Sequence, residues 1–538
     1  MAVSPTLADT QCAAGRADSL ALRWLGWNGE RIDFSYRQLA EQVDRAAAVL
    51  VGLGLKPGDT VGVMTGRRPE TVVAALAVWK AGGVYCPLFA DLGPDPLLIR
   101  LEMVKVRLLI ADAALYAELV EPLVSLLPDL ERVLLVGDAA LIPDGIIDFS
   151  AACKAAQPLR QAVPLVDGQA AVVHFTSGTT APVASGGAPP KAVLHDKAVL
   201  AAMADSALAA FDLRAGEMIW CTADPGWVTH TAYGLVAPLA LGAAILMDEV
   251  PSAPNRCLAV LEDEPVAVWY TTPTVIRGLI GGGAAPARLS KPKALRLAAS
   301  VGEPLSADAV EWGRKVLGVP FRDSWWQTET GAIVLAHDPR HMPIPGSMGK
   351  PMPGVEVALM RRNEDGIELL TEAEVCGELA VRGDCLPSWR CLGGEGGALP
   401  EELEGWHLSG DMVRRDADGY HWFLGREDEV ILAAGRMIGP FEVEAVLMSH
   451  PAVAEVGVVG APDWRSHEHL VAFIAVNPGF EPGEGLRLEL MDYAREHLGE
   501  ALSPQELIFE HDMPRTPSGK IIRRALKARL QPSRVLSD

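Results

Sequence analysis

Apolar residues recur at helical spacing over residues 34–53. Lys56-Pro-Gly-Asp59 then breaks the pattern before a short apolar run at 60–64. The order predicted is helix, turn, strand, and it repeats. Residues 70–81 read as a helix ended by Gly82-Gly83, 97–104 as a second helix, and 107–111 as a buried strand. Further on, 217–222, 244–247, 267–271 and 294–300 are strand candidates in the same alternation. Strands that alternate with helices imply parallel sheets covered on both faces.

After Gly346 the texture changes. Short alternating runs at 355–359 and 377–381 predict a small barrel or antiparallel subdomain, and the glycine-rich stretch between Leu392 and Gly405 predicts a loop. No internal repeat is visible. From Gly425-Arg-Glu-Asp428 onward, strand candidates at 455–459 and 470–476 and helices at 440–449 and 486–497 predict a second, compact α+β unit.

Composition fits more than one domain: 538 residues exceed what one hydrophobic core serves, and 49% of them are hydrophobic. A formal net charge of −22 argues against a basic footprint for nucleic acid or an anionic membrane, so any bound polyanion must be held locally. The 8 cysteines show neither a CxxC pair nor a Cys/His ligand spacing, which reads as reduced thiols in a cytoplasmic protein. No uncharged apolar run reaches about 18 residues, so the expectation is a protein neither secreted nor membrane-inserted.

Three segments carry candidate chemistry. Asp323-Ser-Trp-Trp-Gln-Thr-Glu-Thr-Gly331 sets a carboxylate, hydroxyls and an amide beside two indoles, a flat apolar surface next to ligands for Mg²⁺ and a ribose. Thr176-Ser-Gly-Thr-Thr180 follows a strand at 171–175 and offers backbone N–H groups to phosphate oxygens, although such a turn alone is often only a loop. Lys520 closes Pro514-Arg-Thr-Pro-Ser-Gly-Lys520, a compact positive charge suited to charge developing at a phosphate. Without that context it would read as part of a solvated basic tail with Arg523, Arg524 and Lys527.

Taken with Trp406-His-Leu-Ser-Gly-Asp411, these segments resemble the adenylate-forming superfamily, and within it the AMP-forming acetyl-CoA synthetases, over nearly the whole chain. The resemblance implies an α/β fold: a large N-terminal domain (1–425) with parallel sheets and a small β-barrel subdomain, and a smaller α+β C-terminal domain (426–538) that is mobile about a hinge at Asp428. It implies a reaction in which ATP and Mg²⁺ convert a carboxylate to an acyl-adenylate, which the thiol of coenzyme A then cleaves. Thr176, Ser177, Gly178, Thr179, Thr180 and Lys191 would hold phosphates, and Gly302, Glu303 and Pro304 would line the adenine. Asp323, Ser324, Trp325 and Gln327 belong to the same nucleotide site, with Trp325 against the nucleoside. Asp411 would accept both ribose hydroxyls, and Arg426 would contact ribose and phosphate. Thr328 would meet the α-phosphate, Glu329 would ligate Mg²⁺, and Lys520 would be the catalytic lysine of the first half-reaction. Gly435 would line the pantetheine tunnel, with Arg436 beside it and Arg495 as a partner for the CoA phosphate.

Trp326 stands where acetyl-CoA synthetases carry a tryptophan and longer-chain relatives a glycine, so the resemblance implies a pocket for two or three carbons walled by Val228, Thr229 and Val301. Three departures qualify it. Residues 181–189 make the phosphate loop about seven residues longer than the family's, a change whose closure costs only a few tenths of a kcal/mol. Met437 stands where an arginine is expected, one place after Arg436. His230 replaces a glycine, either as a loop histidine at the pocket rim or as a group that narrows the channel or hydrogen-bonds a polar acid. Acetate, propionate and small hydroxy acids therefore stay open as substrates. A carrier-protein thiol as acceptor, or a weakened nucleotide-binding homologue, are the alternatives.

Overall fold

The strand–helix alternation builds two stacked sheets. The computed structural model describes residues 6–530 except 139–141, 144–145, 165–167, 177–189, 251, 282–291, 364–365, 393–404, 428, 434–435, 464–466, 500–501 and 516–520. One sheet has nine strands, running from Lys350–Pro351 through Leu335–Ala336, Phe321–Trp325, Leu297–Ser300, Val266–Thr271, Met218–Cys221, Ala244–Asp248 and Leu20–Leu25 to Arg31–Ser35. Its middle is parallel, and its outer strands are antiparallel. The second has eight strands, with Thr60–Met64 between Val84–Pro87 and Val106–Asp112. One edge of it ends in the antiparallel pair Ala170–Phe175 and Ala192–Asp196, capped by Trp389–Leu392 from much later in the chain.

Strand period explains the layering. In Val106–Asp112, Leu108 and Ile110 face the layer between the sheets, while Leu109 and Ala111 face an outer cluster. In Val266–Thr271, Val268 and Tyr270 face inward and Trp269 outward, and a register shift between Val266 and Val268 leaves Val266 on the outer side as well. The inner layer is filled by helices Tyr36–Gly52, Pro69–Lys80 and Ala198–Phe211. Pro69–Lys80 is buried from Thr71 to its end, as a helix clamped between two sheets must be. Tyr36–Gly52 starts where Ser35 accepts from the Gln38 N–H (3.2 Å) while the Gln38 side chain accepts from the Ser35 N–H (2.8 Å), a reciprocal cap worth about 1 kcal/mol.

The antiparallel subdomain forms as expected, but as an open sheet rather than a barrel. Its order is Gly366–Leu370, Val357–Asn363, Val375–Arg382, Trp406–Arg415, His421–Arg426. One face, with Leu359, Leu379, Val381 and Val413, packs on Trp325 and Leu335 of the nine-stranded sheet. That contact covers the apolar face, so the sheet has no need to close on itself. The smaller C-terminal domain carries helices Pro440–Met448 and Glu484–Leu498 on a five-stranded sheet. Its apolar clusters draw only on residues from Ile431 onward. All eight cysteines are free, and no helix among the described residues is long and apolar enough to cross a membrane.

Candidate active site

The carboxyl end of the parallel strand Phe321–Trp325 delivers Trp325 and Trp326 to opposite sides of a crevice. Trp325 turns toward the antiparallel subdomain, and its indole N–H donates to Asp411 Oδ2 at 2.8 Å. Gln327 Nε2 donates to the same oxygen (3.1 Å) and to the Ser409 carbonyl (2.8 Å). Arg426 donates to Asp411 Oδ1 and to the Ser409 carbonyl, each at 2.8 Å. Strand register explains the last contact, because Asp411 lies opposite Arg426 in the antiparallel ladder. Burial pushes the Asp411 carboxyl above its ordinary value, and Arg426, Trp325 and Gln327 pull against that without cancelling it. A carboxylate has about four lone-pair sites, and three donors already occupy this one. Accepting both ribose hydroxyls therefore requires one of the three to give way.

The phosphate side is organised by Lys191. It faces Thr176 across the base of the loop, where the Thr176 N–H donates to the Lys191 carbonyl at 3.0 Å. The strands on either side of the loop, Ala170–Phe175 and Ala192–Asp196, pair antiparallel. Ser177, Gly178, Thr179 and Thr180 lie outside the described residues. Lys191 Nζ donates to Glu329 Oε1 at 2.8 Å. Burial raises the Glu329 carboxyl, but Lys191 outweighs it and holds the group below the usual carboxylate range. Among the described residues no group of three or more potential metal ligands forms. Glu329, paired with Lys191, is a carboxylate of the kind Mg²⁺ uses when phosphates and waters complete its shell. Thr328 presents its carbonyl to His195 Nε2 at 2.7 Å, which ties the two sheets together at this point.

Between these groups runs the turn after Leu297–Ser300. Gly302 has φ +91°, and a Cβ there would lie 2.7 Å from the Trp227 ring. Glu303 accepts from Thr274 (2.6 Å) and Arg277 (2.5 Å), and Pro304 follows it, partly buried. Asp323 does not open toward a ligand. Its oxygens accept from Ser300 Oγ (3.2 Å) and from the Leu305 (3.3 Å) and Ser324 (2.9 Å) N–H groups, so it pins the turn from within. Burial pushes its carboxyl up to about 7, against the pull of those donors. Ser324 is likewise turned inward, donating to the Ser300 carbonyl at 2.7 Å.

On the other side of the crevice Val228, Val301 and Trp326 belong to one apolar cluster. Trp326 donates to Tyr270 OH (3.2 Å) and meets the Tyr233 ring edge-on at 5.4 Å. Thr229 is buried beside them. His230, expected in a loop at the rim, instead begins the π-helical segment His230–Val236 and is 3% exposed.

Of the parts expected to serve CoA and the hinge, Gly435 and Asp428 lie outside the described residues, Arg436 opens the strand Arg436–Ile438, and Arg495 pairs with Asp492 at 3.3 Å on its own helix. Lys520 also lies outside them, yet its neighbours are fixed. Arg515 bridges to Ile521, the Ile522 N–H donates to the Pro514 carbonyl (2.8 Å), and Arg523 holds Glu444 (2.7 Å) and Glu429 (3.0 Å).

Sequence reasoning missed four contributors: Arg67, His195, Tyr270 and His407. His407 Nε2 donates to Gln327 Oε1 at 3.1 Å and so orients the amide that serves Asp411. Its place two residues before Ser409 in the Trp406–Asp411 segment was the available signal, since alternate residues of a strand share a face. His195 follows closely on Lys191, on the strand Ala192–Asp196, whereas Arg67 and Tyr270 sit far from the motifs in sequence.

Comparison with known proteins agrees with this arrangement. The AMP-binding enzyme family model matches residues 9–388, and the model of the AMP-binding enzyme C-terminal domain matches 442–520. The chain belongs to the AMP-binding enzyme family. The acetyl-coenzyme A synthetase of Bacillus subtilis (strain 168) is 36% identical over 92% of this chain and 85% of its own length. Among solved structures, a Brucella canis acyl-CoA synthetase is 30% identical with a TM-score of 0.71, over 98% of this chain and 94% of that one. An anthranilate CoA ligase in complex with anthranoyl-AMP has the same fold, with a TM-score of 0.85 at 24% identity over 98% and 97% of the two chains.

Proposed function

We propose that this protein is an AMP-forming acetyl-CoA synthetase: acetate and ATP give acetyl-adenylate and pyrophosphate, and the thiol of CoA then gives acetyl-CoA and AMP. One observation carries the reading. Trp325 bonds Asp411 in the polar network while its neighbour Trp326 packs in the apolar cluster that also holds Val228 and Val301, which supports a nucleotide site adjoining a small apolar acyl site. The 36% identity to an acetyl-coenzyme A synthetase supports the acid chosen.

The chemistry follows from poor leaving ability. A carboxylate resists thiol attack until its oxygen is joined to AMP, whose departure is easy. In the first step the acid's oxygen attacks the α-phosphorus and pyrophosphate leaves. Asp411 and Arg426 hold the ribose, Trp325 packs on the nucleoside against the turn Gly302–Pro304, and Thr176 with the loop that follows cradles the phosphates. Glu329 is the group that would hold Mg²⁺, which neutralises phosphate charge so that an anionic acid can approach. Lys191, which now pairs with Glu329, would be free to meet the phosphates if Glu329 held Mg²⁺, and Thr328 and Lys520 would face the α-phosphate. Residues 426–538 then rotate about Asp428 and bring Gly435, Arg436 and Arg495 to CoA, whose thiol attacks the acyl carbonyl and expels AMP. The eight free thiols and the absence of a spanning helix among the described residues support a cytoplasmic location.

The test is pyrophosphate release from the purified protein with MgATP and acetate, with and without CoA. Turnover that requires acetate and CoA, and that Lys520→Ala lowers by about two orders of magnitude, is the expected result. Nucleotide binding without pyrophosphate release with any short acid would overturn it.

A further inference from the structure

His230 is the one polar side chain of the acyl end that the acetate reaction leaves idle. It is 3% exposed, and neither ring nitrogen has a hydrogen-bond partner. The other buried histidines of the large domain's crevice each bond through one nitrogen: His174 to Thr231 Oγ1 at 2.9 Å and His195 to the Thr328 carbonyl at 2.7 Å. His421 is also unpartnered, but it lies on the antiparallel subdomain, away from the acyl cluster. A buried polar group that stays unbonded in the protein calls for an explanation, and a bound ligand is one.

Position and charge state define that ligand. The ring lies over Gly234, where a Cβ would come within 2.7 Å of Nδ1, so it occupies space that only a glycine leaves open. Tyr233, next to that glycine, packs edge-on against Trp326, and Val228 and Thr229 immediately precede His230. Burial first, and then the Arg67 guanidinium, keep the imidazole neutral, while the nearby Ala223 backbone opposes them. Arg67 itself donates to the Thr222 carbonyl at 3.2 Å, and no ion pair to it occurs among the described residues. A neutral imidazole offers one donor and one acceptor, which matches a hydroxyl, itself both donor and acceptor. A second carboxylate would instead need a protonated ring.

We propose that His230 is a specificity-determining residue that hydrogen-bonds a hydroxyl substituent on the acid, so that the protein accepts short hydroxy acids of the glycolate class alongside acetate. This rests on the short-chain acyl-CoA synthetase reading above. Glycolate and propionate are the informative pair, since they differ by a hydroxyl in place of a methyl.

The experiment measures kcat/KM for acetate, propionate and glycolate by pyrophosphate release in the wild type, His230→Phe and His230→Gly, with AMP binding as a check that each variant is folded. The phenylalanine keeps a bulky ring without hydrogen bonding, and the glycine removes both. The wild type is expected to use glycolate at least as well as propionate, and both variants to lose about 10- to 100-fold in the glycolate-to-propionate ratio. A wild type that prefers propionate tenfold overturns the proposal whatever the variants do. So does a ratio that neither variant changes, which would leave His230 as a bulk wall. Loss of turnover with every acid, acetate included, in the wild type would mean that the synthetase reading has failed first and this proposal with it.

Discussion

The two ends of the crevice are built on opposite plans. At the proposed ribose end, Asp411, Trp325, Gln327, Arg426 and His407 form a polar network joined by hydrogen bonds of 2.8–3.1 Å. At the acyl end, Val228, Val301 and Trp326 are apolar walls of the largest core cluster, and the one imidazole among them has no protein partner. A saturated network fixes one ligand shape by geometry, whereas an apolar wall discriminates by volume. The first should therefore tolerate no change for any acid, and the second should trade one acid for another.

Asp411→Asn strikes the ribose end and has the largest expected effect. An amide replaces a charged acceptor facing Arg426, the Trp325 N–H and the Gln327 amide, and hydrogen bonds to a charged group are worth about 1.5–3 kcal/mol each. We expect kcat/KM to fall on the order of 100-fold or more, equally for acetate, propionate and butyrate, together with weaker AMP binding. A loss confined to one acid would erase the distinction between the two ends.

Trp326→Gly is the converse. Removing the indole opens volume beside Tyr233 and Tyr270 without touching the Asp411 network. Each methylene in such a pocket is worth about 1–3 kcal/mol, so the butyrate-to-acetate ratio should rise about 10-fold or more while AMP affinity stays within a few-fold. Unchanged selectivity, measured as kcat/KM across a chain-length series, would move the pocket elsewhere.

How the two ends could be read from sequence differs for the same reason. Four of the five residues of this network, Trp325, Gln327, His407 and Asp411, lie in two short motifs, and it was resemblance to a family that nominated three of them, together with Arg426. Even there the saturation of Asp411 was hidden, because its donors come from three elements. Asp323 and Ser324, at the start of the same motif, are both held inside the protein: adjacent strand residues face opposite sides, but this end of Phe321–Trp325 is covered on both. The acyl walls come from three places in the chain, and only resemblance could group Val228, Val301 and Trp326. The parallel core was legible from periodicity: 60–64 was expected and Thr60–Met64 forms, and 70–81 became Pro69–Lys80. The N-terminal hairpin Leu20–Leu25 with Arg31–Ser35 was not, because its partner strand Ala244–Asp248 lies far along the chain. The open sheet replaced a barrel for a similar reason: what covers its apolar face is a tertiary contact.

Gly302→Ala tests the turn that the two ends share. At φ +91°, with the Trp227 ring 2.7 Å from an added Cβ, the substitution is strained twice over. Strain of this kind costs about 1–3 kcal/mol. We expect about a tenfold loss of kcat/KM for every acid, and a lower melting temperature, smaller in activity than Asp411→Asn. Activity within twofold of wild type would show that the turn positions neither end.

The smallest effect on turnover, and the sharpest in pH, belongs to Asp323→Asn beneath that same turn. Burial lifts the Asp323 carboxyl to about 7, well above an unfolded aspartate near 3.9. Over that interval the folded state binds a proton that the unfolded state does not, so this group's contribution to stability is present at low pH and is lost as pH rises through about 7. Buried histidines act in the opposite sense. His174 and His230 are held down to about 3 and His421 to about 4, in each case chiefly by burial, so the stability they confer is present above about 6.5 and is lost on acidification. Wild-type stability between pH 4 and 7 is thus a balance in which Asp323 offsets part of the histidine slope. Asparagine cannot titrate, so in the variant the rise of stability with pH should steepen by up to about 1.4 kcal/mol per pH unit, read from urea unfolding at pH 4.5, 6.0 and 7.5. Selectivity among acids should stay as in the wild type, because neither Val301 nor Trp326 loses a contact. Parallel stability curves for the two proteins would mean that Asp323 is ionised in the folded state and that its three donors, rather than its burial, set its charge.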